Sequence, residues 1–360
     1  MKKTLVAIAA LAAVSSFAQS SVTLYGIGDI WVGTLKNGAP TAVSQTLINS
    51  GGLNGSRFGL RGSEDLGGGL SAVFQFENGF GLDTGGTSTT NGGSTSVVTS
   101  GFGTGGLAIP GVPAANQSAA IFGRQAYIGL NGGFGSLRFG RQYSAYDEFR
   151  GGTDTLGHTS FSATAGTGAW DRSGLNYTFR VNNMMRYETP NMGGFTAALG
   201  YGLGENKTVA ASADSVLSLK AQYANGPLMA GVAIQNEKVG AANTSLKHTL
   251  IAGSYDLGVA KLNAGFNTSK LLTLKESEFT FGATIPFGAF SLAGSYGSSK
   301  SKISGLDNAK STAFGAQGIY SMSKRTSAYV GLVSAKSVAT GAATPTTKTS
   351  LFAVGLRHTF

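Results

Sequence analysis

The 360-residue chain has no cysteine, only 7 prolines and only 12% charged residues. The absence of cysteine excludes disulfide bonds. Average globular domains carry about 25% charged residues, so the chain is poor in the side chains that normally solvate a soluble protein. Long apolar runs are also absent after residue 18, and a membrane-spanning helix needs about 20 such residues. These absences exclude a disulfide-stabilised protein and a helical membrane protein.

Glycine and apolar residues are abundant instead. The chain contains 56 glycines and 41% hydrophobic residues, and an average protein has about 7% glycine. Such a hydrophobic content excludes a disordered chain. A chain this apolar, without a spanning helix, can enter a membrane only as a closed β-barrel, where every backbone group is paired. The alternative is a soluble β-sandwich that buries one face of its strands in its own core.

The N-terminus has the layout of a secretory signal peptide. Lys2 and Lys3 are followed by the apolar run Leu5 to Val14 and by the small-x-small sequence Ser16-Phe-Ala18. The apolar run is too short for an anchor helix that crosses a bilayer. We therefore expect residues 1–18 to be a signal peptide cleaved after Ala18, and residues 19–360 to form one domain.

Apolar and polar side chains alternate in many segments, as in β-strands with two different faces. The C-terminal segment Leu351 to Phe360 places Phe352, Val354, Leu356 and Phe360 on one face. In Leu217 to Tyr223 the opposite face carries Lys220, and a buried, unpaired lysine would be costly in a sandwich. In a wide barrel the inner face contacts water. The alternation therefore favours a transmembrane barrel, although Thr249 to Tyr255 breaks the pattern.

Turns and loops follow a regular rhythm. From the first strand (Val22 to about Val32) to the C-terminal strand, short turns alternate with long connections such as the one from Asn267 to Phe279. A Greek-key sandwich would mix its loop lengths. We count about sixteen strands, an even number typical of bacterial barrels. The sequence therefore predicts an all-β fold, a 16-stranded antiparallel up-and-down transmembrane β-barrel.

Several motifs resemble those of the trimeric general porins of Gram-negative outer membranes, of the neisserial and betaproteobacterial type. They span the chain after residue 18 in the expected order and end at the terminal Phe360. The matching segments are Ser21-Val-Thr-Leu-Tyr-Gly26, Ser56-Arg-Phe-Gly-Leu-Arg-Gly-Ser-Glu-Asp-Leu-Gly-Gly-Gly-Leu70, Phe74-Gln-Phe-Glu77, Gly123-Arg-Gln-Ala-Tyr-Ile-Gly-Leu130, Phe134-Gly-Ser-Leu-Arg-Phe-Gly-Arg-Gln142 and Arg186-Tyr-Glu-Thr-Pro-Asn191.

This resemblance implies an integral outer-membrane channel for passive diffusion of ions and small hydrophilic solutes. It also implies a homotrimer in outer-membrane lipid and a third long loop folded into each pore. The terminal Phe360 would be the signal that the barrel-insertion machinery recognises. A barrel with a mainly structural or adhesive role, acting through its surface loops, is the alternative.

The resemblance also suggests which residues form the pore constriction. Wall arginines would face acidic residues on the third long loop, between Tyr143 and about Asn183. Strict alternation places Arg124 on the face of Ile128, so its position in the pore requires a local irregularity. The expected wall residues are Arg57, Arg124, Arg186, Arg61, Arg138 and Arg141, and the expected loop residues are Asp147, Glu148, Asp154 and Asp171.

Other motifs carry no chemistry that we can support. Gly101-Phe-Gly-Thr-Gly-Gly106 lacks the strand and helix of a dinucleotide site, and Ser299-Lys-Ser-Lys302 lacks the partner motifs of an acylating serine. Three scattered histidines predict no metal site. We therefore expect neither an enzyme nor a cofactor.

The positive net charge of +10 falls to about +8 without Lys2 and Lys3. The basic residues form no clustered patch, so nucleic-acid binding is not expected. Charges in a cleft with low-dielectric walls produce a focused field. We therefore expect a positive lumen and a moderate preference for anions.

Overall fold

The computed structural model describes residues 21–360, apart from 37, 39–41, 88–119, 166–167, 171–173, 211, 240–241, 243 and 341–345. The expected signal peptide and cleavage site lie outside the described residues. Strands account for most of the described chain. No described helix is both long enough and apolar enough to cross a membrane.

The strands follow one another in chain order around the sheet. They are β1 (Ser21–Lys36), β2 (Ser44–Ser50), β3 (Arg57–Gly67), β4 (Leu70–Gly79), β5 (Gln125–Gly132), β6 (Gly135–Tyr143), β7 (Arg180–Glu188), β8 (Phe195–Leu203), β9 (Ser215–Asn225), β10 (Leu228–Val239), β11 (Thr244–Asp256), β12 (Lys261–Leu271), β13 (Leu274–Phe287), β14 (Phe290–Ile303), β15 (Leu306–Ser321), β16 (Thr326–Ala339) and β17 (Thr347–Thr359). One helix, α1 (Ala145–Thr153), lies between β6 and β7.

The sheet closes on itself because the last strand pairs with the first. β17 runs antiparallel to β1, from Ile27 opposite Thr359 to Lys36 opposite Ser350. Gly26 and Phe360 complete the seam with two backbone hydrogen bonds, of 3.0 and 3.1 Å. A Cβ at Gly26 would overlap the Phe360 ring, so glycine lets the terminal aromatic lie flat against β1.

Two strands, β2 and β3, share the position next to β1 in the barrel. The first half of β1 pairs with β3, and the second half pairs with β2. Residues 51–56 leave the wall between these strands. The seventeen strands therefore fill sixteen positions, and the predicted 16-stranded antiparallel barrel is confirmed.

The predicted two-faced strands are also present. Large apolar side chains cover the outside, and among them Leu199, Phe281 and Phe352 are 44%, 48% and 52% exposed. Lys220 follows the exposed Leu219 along β9 and points into the barrel. A sheet that closes into a ring with an apolar exterior excludes the sandwich.

The predicted rhythm of short turns and long loops is wrong in the second half of the chain. Only Leu272 and Thr273 separate β12 from β13, and only Ser304 and Gly305 separate β14 from β15. The ladder continues through polar residues, with Thr268 opposite Ser277. The sequence of these strand ends resembles that of a loop because the side chains on both faces of the strand are polar.

Candidate pore constriction

The connection between β6 and β7, residues 144–179, folds into the barrel and is called loop 3 here. Ser144 closes its base by donating its backbone N–H to the Phe179 carbonyl at 3.0 Å. The same residue caps α1, because its side chain accepts a hydrogen bond from the Asp147 backbone N–H. The predicted inward-folded third long loop is confirmed.

Hydrogen bonds tie loop 3 to strands around the barrel. The backbone N–H of Tyr146 donates to Ser218 Oγ on β9 at 2.9 Å. The hydroxyl of Tyr146 donates to Asn267 on β12 at 2.8 Å. Further along, Trp170 Nε1 donates to the Phe279 carbonyl on β13 at 3.1 Å. The loop is therefore anchored at several points inside the lumen.

Loop 3 also brings an apolar core into the lumen. Tyr146, Phe149 and Trp170 pack against inward side chains of the wall, including Leu250 and Ala252 on β11. This contact explains why Thr249 to Tyr255 breaks the alternation, since its inner face is covered by the loop. At Gly315 and Gly331 a Cβ would overlap Phe161 of the loop, so glycines in the wall give the loop its space.

A second segment that leaves the barrel wall, residues 51–56, supports the far end of loop 3. Residues 51–56 are held by the buried carboxylate of Asp29, which accepts backbone N–H bonds from Gly52, Leu53 and Asn54 at 2.9, 2.9 and 2.7 Å. The Tyr329 hydroxyl donates to the same carboxylate at 2.5 Å. Ser160 of loop 3 in turn donates its N–H to the Gly52 carbonyl at 2.9 Å.

One charged group joins loop 3 to the wall. Arg186 Nη1 and Nη2 donate to the two carboxylate oxygens of Glu148 at 2.6 and 2.5 Å. Arg186 also contacts Glu188 at 3.1 Å, and Lys220 contacts Glu148 at 3.2 Å and Glu188 at 3.0 Å. Two cations and two carboxylates therefore neutralise each other.

The ionisation of Glu148 follows from these contacts. Burial alone would raise the pKa of Glu148, but the hydrogen bonds and charges of Arg186 and Lys220 outweigh it and lower the pKa. The carboxyl group is therefore ionised at neutral pH. In this state it holds α1 against β7 and β9.

A second group gathers arginines around two acceptors. Glu77 accepts from Arg124 Nε at 2.6 Å and lies 3.9 Å from Arg57 Nη1. The Tyr143 hydroxyl accepts from Arg124 Nη2 at 2.9 Å and from Arg180 Nη2 at 2.6 Å. Three guanidinium groups are therefore held by one carboxylate and one tyrosine hydroxyl.

The remaining predicted wall arginines also contact residues of the wall. Arg61 lies over the Tyr25 ring and Arg138 over the Tyr127 ring, 5.1 and 5.4 Å from the centroids. Arg141 donates to the Gly123 carbonyl at 2.7 Å and to Asn182 Oδ1 at 2.5 Å. These contacts lie on the wall itself and not on loop 3.

The predicted loop acids separate into different environments. Asp147 accepts from the Tyr177 hydroxyl at 2.7 Å, and burial together with the Asp147 charge raises the pKa of Tyr177 well above its ordinary value. Asp154 is buried within the loop and accepts from Ser162 and Thr164 at 2.6 and 2.8 Å. Asp154 therefore organises the loop from within. Asp171 lies outside the described residues.

Arg124 reaches the interior because it precedes the strand. β5 begins at Gln125, so the alternation that places Ile128 outside does not extend to Arg124. The sequence-based site also omitted Glu77, Tyr143, Arg180, Glu188 and Lys220. Alternation identified the inward position of Lys220, but no pattern in the sequence indicated that these residues would meet loop 3.

The two charged groups beside loop 3 carry a positive balance. Five basic side chains, Arg57, Arg124, Arg180, Arg186 and Lys220, stand against three carboxylates, Glu77, Glu148 and Glu188. These eight side chains therefore sum to +2. A closed barrel narrowed by an inward loop with charged walls defines a water-filled channel of the porin class.

The chain belongs to the Gram-negative porin family, whose model matches residues 4–340. It is 35% identical over 308 residues to the outer membrane porin protein 32 of Delftia acidovorans, covering 80% of this chain and 77% of that one. It is 32% identical to an outer membrane porin protein of Bordetella pertussis, over the full length of both. The protein is thus an outer-membrane channel of a Gram-negative bacterium.

A solved structure agrees with the fold. The anion-selective porin from Comamonas acidovorans is 27% identical and superimposes with a TM-score of 0.72, covering 95% of this chain and all of that one. OmpT of Vibrio cholerae, at 15% identity and a TM-score of 0.67, shares the barrel fold. The expectations of a porin fold and an outer-membrane location are confirmed.

Proposed function

We propose that this porin is a diffusion channel with a moderate preference for anions, set by the excess of cations beside loop 3. The observation that carries the proposal is the group formed by Arg57, Arg124 and Arg180. Arg57 and Arg124 face one carboxylate, that of Glu77, and Arg180 donates to the Tyr143 hydroxyl, so three guanidinium groups stand beside one negative charge. Arginine stays protonated at any physiological pH, so the positive charge persists across that range.

The electrostatic range of this group matches the size of a narrow pore. The Debye length is about 8 Å at physiological salt, and low-dielectric walls focus the field of the lining charges. Glu148 does not oppose this field strongly, because Arg186 and Lys220 already neutralise it. Salt screening implies that the preference for anions is strongest at low ionic strength.

A relative supports the same sign of selectivity. The solved structure that superimposes over 95% of this chain is described as an anion-selective porin. The two chains share 27% identity, so the likeness supports the proposal without identifying the residues. Small hydrophilic solutes and inorganic anions are the corresponding substrates.

The remaining proposals concern export and assembly. Residues 1–18 would be removed as a signal peptide, and the mature chain would begin at Gln19. The barrel would assemble as a homotrimer in outer-membrane lipid. Phe360, which is 52% exposed at the seam, would be recognised by the barrel-insertion machinery.

Planar-bilayer recording tests the proposed function. Insertion of the purified protein should give stable, stepwise conductance increments, because each inserted channel adds one water-filled lumen that loop 3 narrows. In a salt gradient the zero-current potential should have the sign of anion preference. A barrel that never conducts would support the structural or adhesive alternative, and clear cation preference would contradict the proposed selectivity alone.

A further inference from the structure

The outer surface of the barrel carries an ordered row of lysines. On nine consecutive strands, β10 to β17 and then β1, an exposed lysine lies on the same face as the exposed apolar band. On the first six of these strands the residues are Lys238, Lys247, Lys270, Lys275, Lys300 and Lys310. The last three strands contribute Lys336, Lys348 and Lys36. We call this set the lysine belt.

The belt keeps a constant distance from the apolar band. We call the rim of the barrel at which β17 ends the short-turn rim. On each of the nine strands, the residue four positions from the lysine toward this rim has a large apolar or aromatic side chain that is 39–61% exposed. Phe266 below Lys270 and Phe279 below Lys275 are examples. Four residues span about 13 Å along a strand, and with the usual tilt of about 40° this is about 10 Å along the membrane normal.

The layer between the band and the belt is polar. Two positions below each lysine lies a serine or threonine on eight strands, such as Thr268 and Ser277, and Asn236 on the ninth. The exterior therefore changes from apolar to hydroxyl-bearing to cationic over the depth at which a bilayer changes from hydrocarbon to headgroups. The belt lies near the rim from which loop 3 also leaves the wall, and the rim with the longer loops faces outward in such barrels.

The lysines are placed where they repel one another. Lys247 lies directly opposite Lys270, Lys270 opposite Lys275, and Lys275 opposite Lys302. Like charges directly opposite each other on neighbouring strands are destabilising. Asp307 pairs with Lys300 and Lys302 at 2.9 and 3.8 Å. Within the described chain, no carboxylate lies within 4.0 Å of Lys247, Lys270 or Lys275.

The other half of the barrel has no such row. Strands β2 to β9 contain one lysine, Lys220, and it points into the lumen. Arg57, Arg124, Arg180 and Arg186, by contrast, belong to the charged groups beside loop 3. Nine exposed lysines thus lie on one arc of the exterior at one depth, an arrangement that solvation alone does not require.

From this arrangement we propose that the lysine belt binds the phosphate groups of anionic lipid in the outer leaflet. The phosphates would lie between Lys247, Lys270 and Lys275, supply the missing counter-charge, and accept hydrogen bonds from the hydroxyl layer below. The acyl chains of the same lipid would cover Phe266 and Phe279. The arc from β10 to β1 is therefore the lipid-facing side, and the lysine-free arc is left for contacts between barrels.

Native mass spectrometry of the folded protein in a neutral detergent tests this proposal. The probes are a bisphosphorylated glucosamine lipid (lipid A), the same lipid without its phosphates, and inorganic phosphate. The test protein carries Lys247→Gln, Lys270→Gln and Lys275→Gln. The control carries Lys207→Gln, Lys261→Gln and Lys324→Gln, an equal loss of charge at exposed positions outside the belt.

We expect the bisphosphorylated lipid to bind the unaltered protein and the control with the same affinity. The belt variant should bind it roughly 100-fold more weakly, because each lysine near an anionic surface contributes a factor of about five. Both variants should keep their heat-sensitive gel mobility, which shows that the barrel is folded. Since removal of the belt lysines relieves repulsion, the belt variant should melt no lower than the control in lipid-free detergent.

Four results would overturn the proposal. Equal binding by the belt and control variants would show that the lysines are not the site. Equal binding of the lipid without phosphates would show that the headgroup charge is irrelevant, and equally tight binding of inorganic phosphate would indicate an anion site without lipid recognition. Loss of the oligomer in the belt variant alone would assign the belt to a contact between barrels.

Discussion

Asp29 should control the rigidity of the pore, and Asp29→Asn tests this role. Its carboxylate is fully buried, and it accepts from three backbone N–H groups of residues 51–56 and from Tyr329. Those residues carry the carbonyl that receives the Ser160 N–H of loop 3. The carboxylate therefore fixes one of the supports of the constriction.

The magnitude follows from the geometry. Oδ1 accepts from Gly52 and Tyr329, and Oδ2 accepts from Leu53 and Asn54. An asparagine amide would turn an NH₂ group toward one of these donor pairs. Toward Leu53 and Asn54 it would lose two hydrogen bonds, whereas toward Gly52 and Tyr329 it would lose one, because the Tyr329 hydroxyl can accept from the NH₂ group. Hydrogen bonds to charged groups contribute about 1.5–3 kcal/mol each, so the loss should be about 1.5–6 kcal/mol.

Two assays should show the effect. The temperature at which the folded band is lost on a gel should fall by several degrees, and the open-channel current should become noisier because loop 3 is held less firmly. Asp65→Asn is the matched control, since Asp65 accepts a backbone N–H in an exposed turn at the short-turn rim. If Asp29→Asn matched this control in both stability and noise, residues 51–56 would not support loop 3.

Three further outcomes are expected. Because contacts with Arg186 and Lys220 lower the pKa of Glu148, the stabilisation that it provides is present above its unfolded value of about 4.3 and is lost as the pH falls through the lower folded value. Current noise should therefore rise in acid, and Glu148→Gln should be noisy at every pH; a pH-independent unaltered channel would contradict this. Deletion of Phe360 should reduce the amount of inserted barrel in cells, and normal insertion at normal expression would refute its role in assembly. Mildly extracted protein should run on a gel as a detergent-resistant oligomer that heat dissociates, whereas a monomer before heating would count against a trimer.

The barrel itself could be predicted because its rule is local. Alternation along a strand depends only on which face meets lipid, and segments such as Phe195 to Leu203 follow it. Prediction failed where a strand is polar on both faces. The segment from Thr268 to Glu278 continues as paired strand beyond the apolar band, so it lacks the apolar face by which a strand is recognised.

The site could be predicted only in part because it depends on contacts distant in sequence. The resemblance selected Arg57, Arg124 and Glu148, all of which lie in the charged groups beside loop 3. It could not distinguish Glu148, which reaches Arg186, from Asp154, which turns back into its own loop. The path of loop 3 is set by packing on wall glycines such as Gly315, and no pattern within a short stretch of sequence predicts that packing.

The most direct measurement of the central claim is the zero-current potential of arginine variants in a salt gradient. One protein carries Arg57→Gln, Arg124→Gln and Arg180→Gln, and the others carry Arg186→Gln alone or Arg57→Gln, Arg124→Gln and Arg186→Gln. We expect the first to lose or reverse the anion preference of the unaltered channel. The second should weaken the preference by a smaller amount, because loss of Arg186 leaves Lys220 alone against the two carboxylates of Glu148 and Glu188. The third removes three positive charges, as the first does, and should also weaken or reverse the preference. Unaltered anion selectivity in the first variant, or cation selectivity in the unaltered channel, would contradict the assignment of selectivity to these arginines.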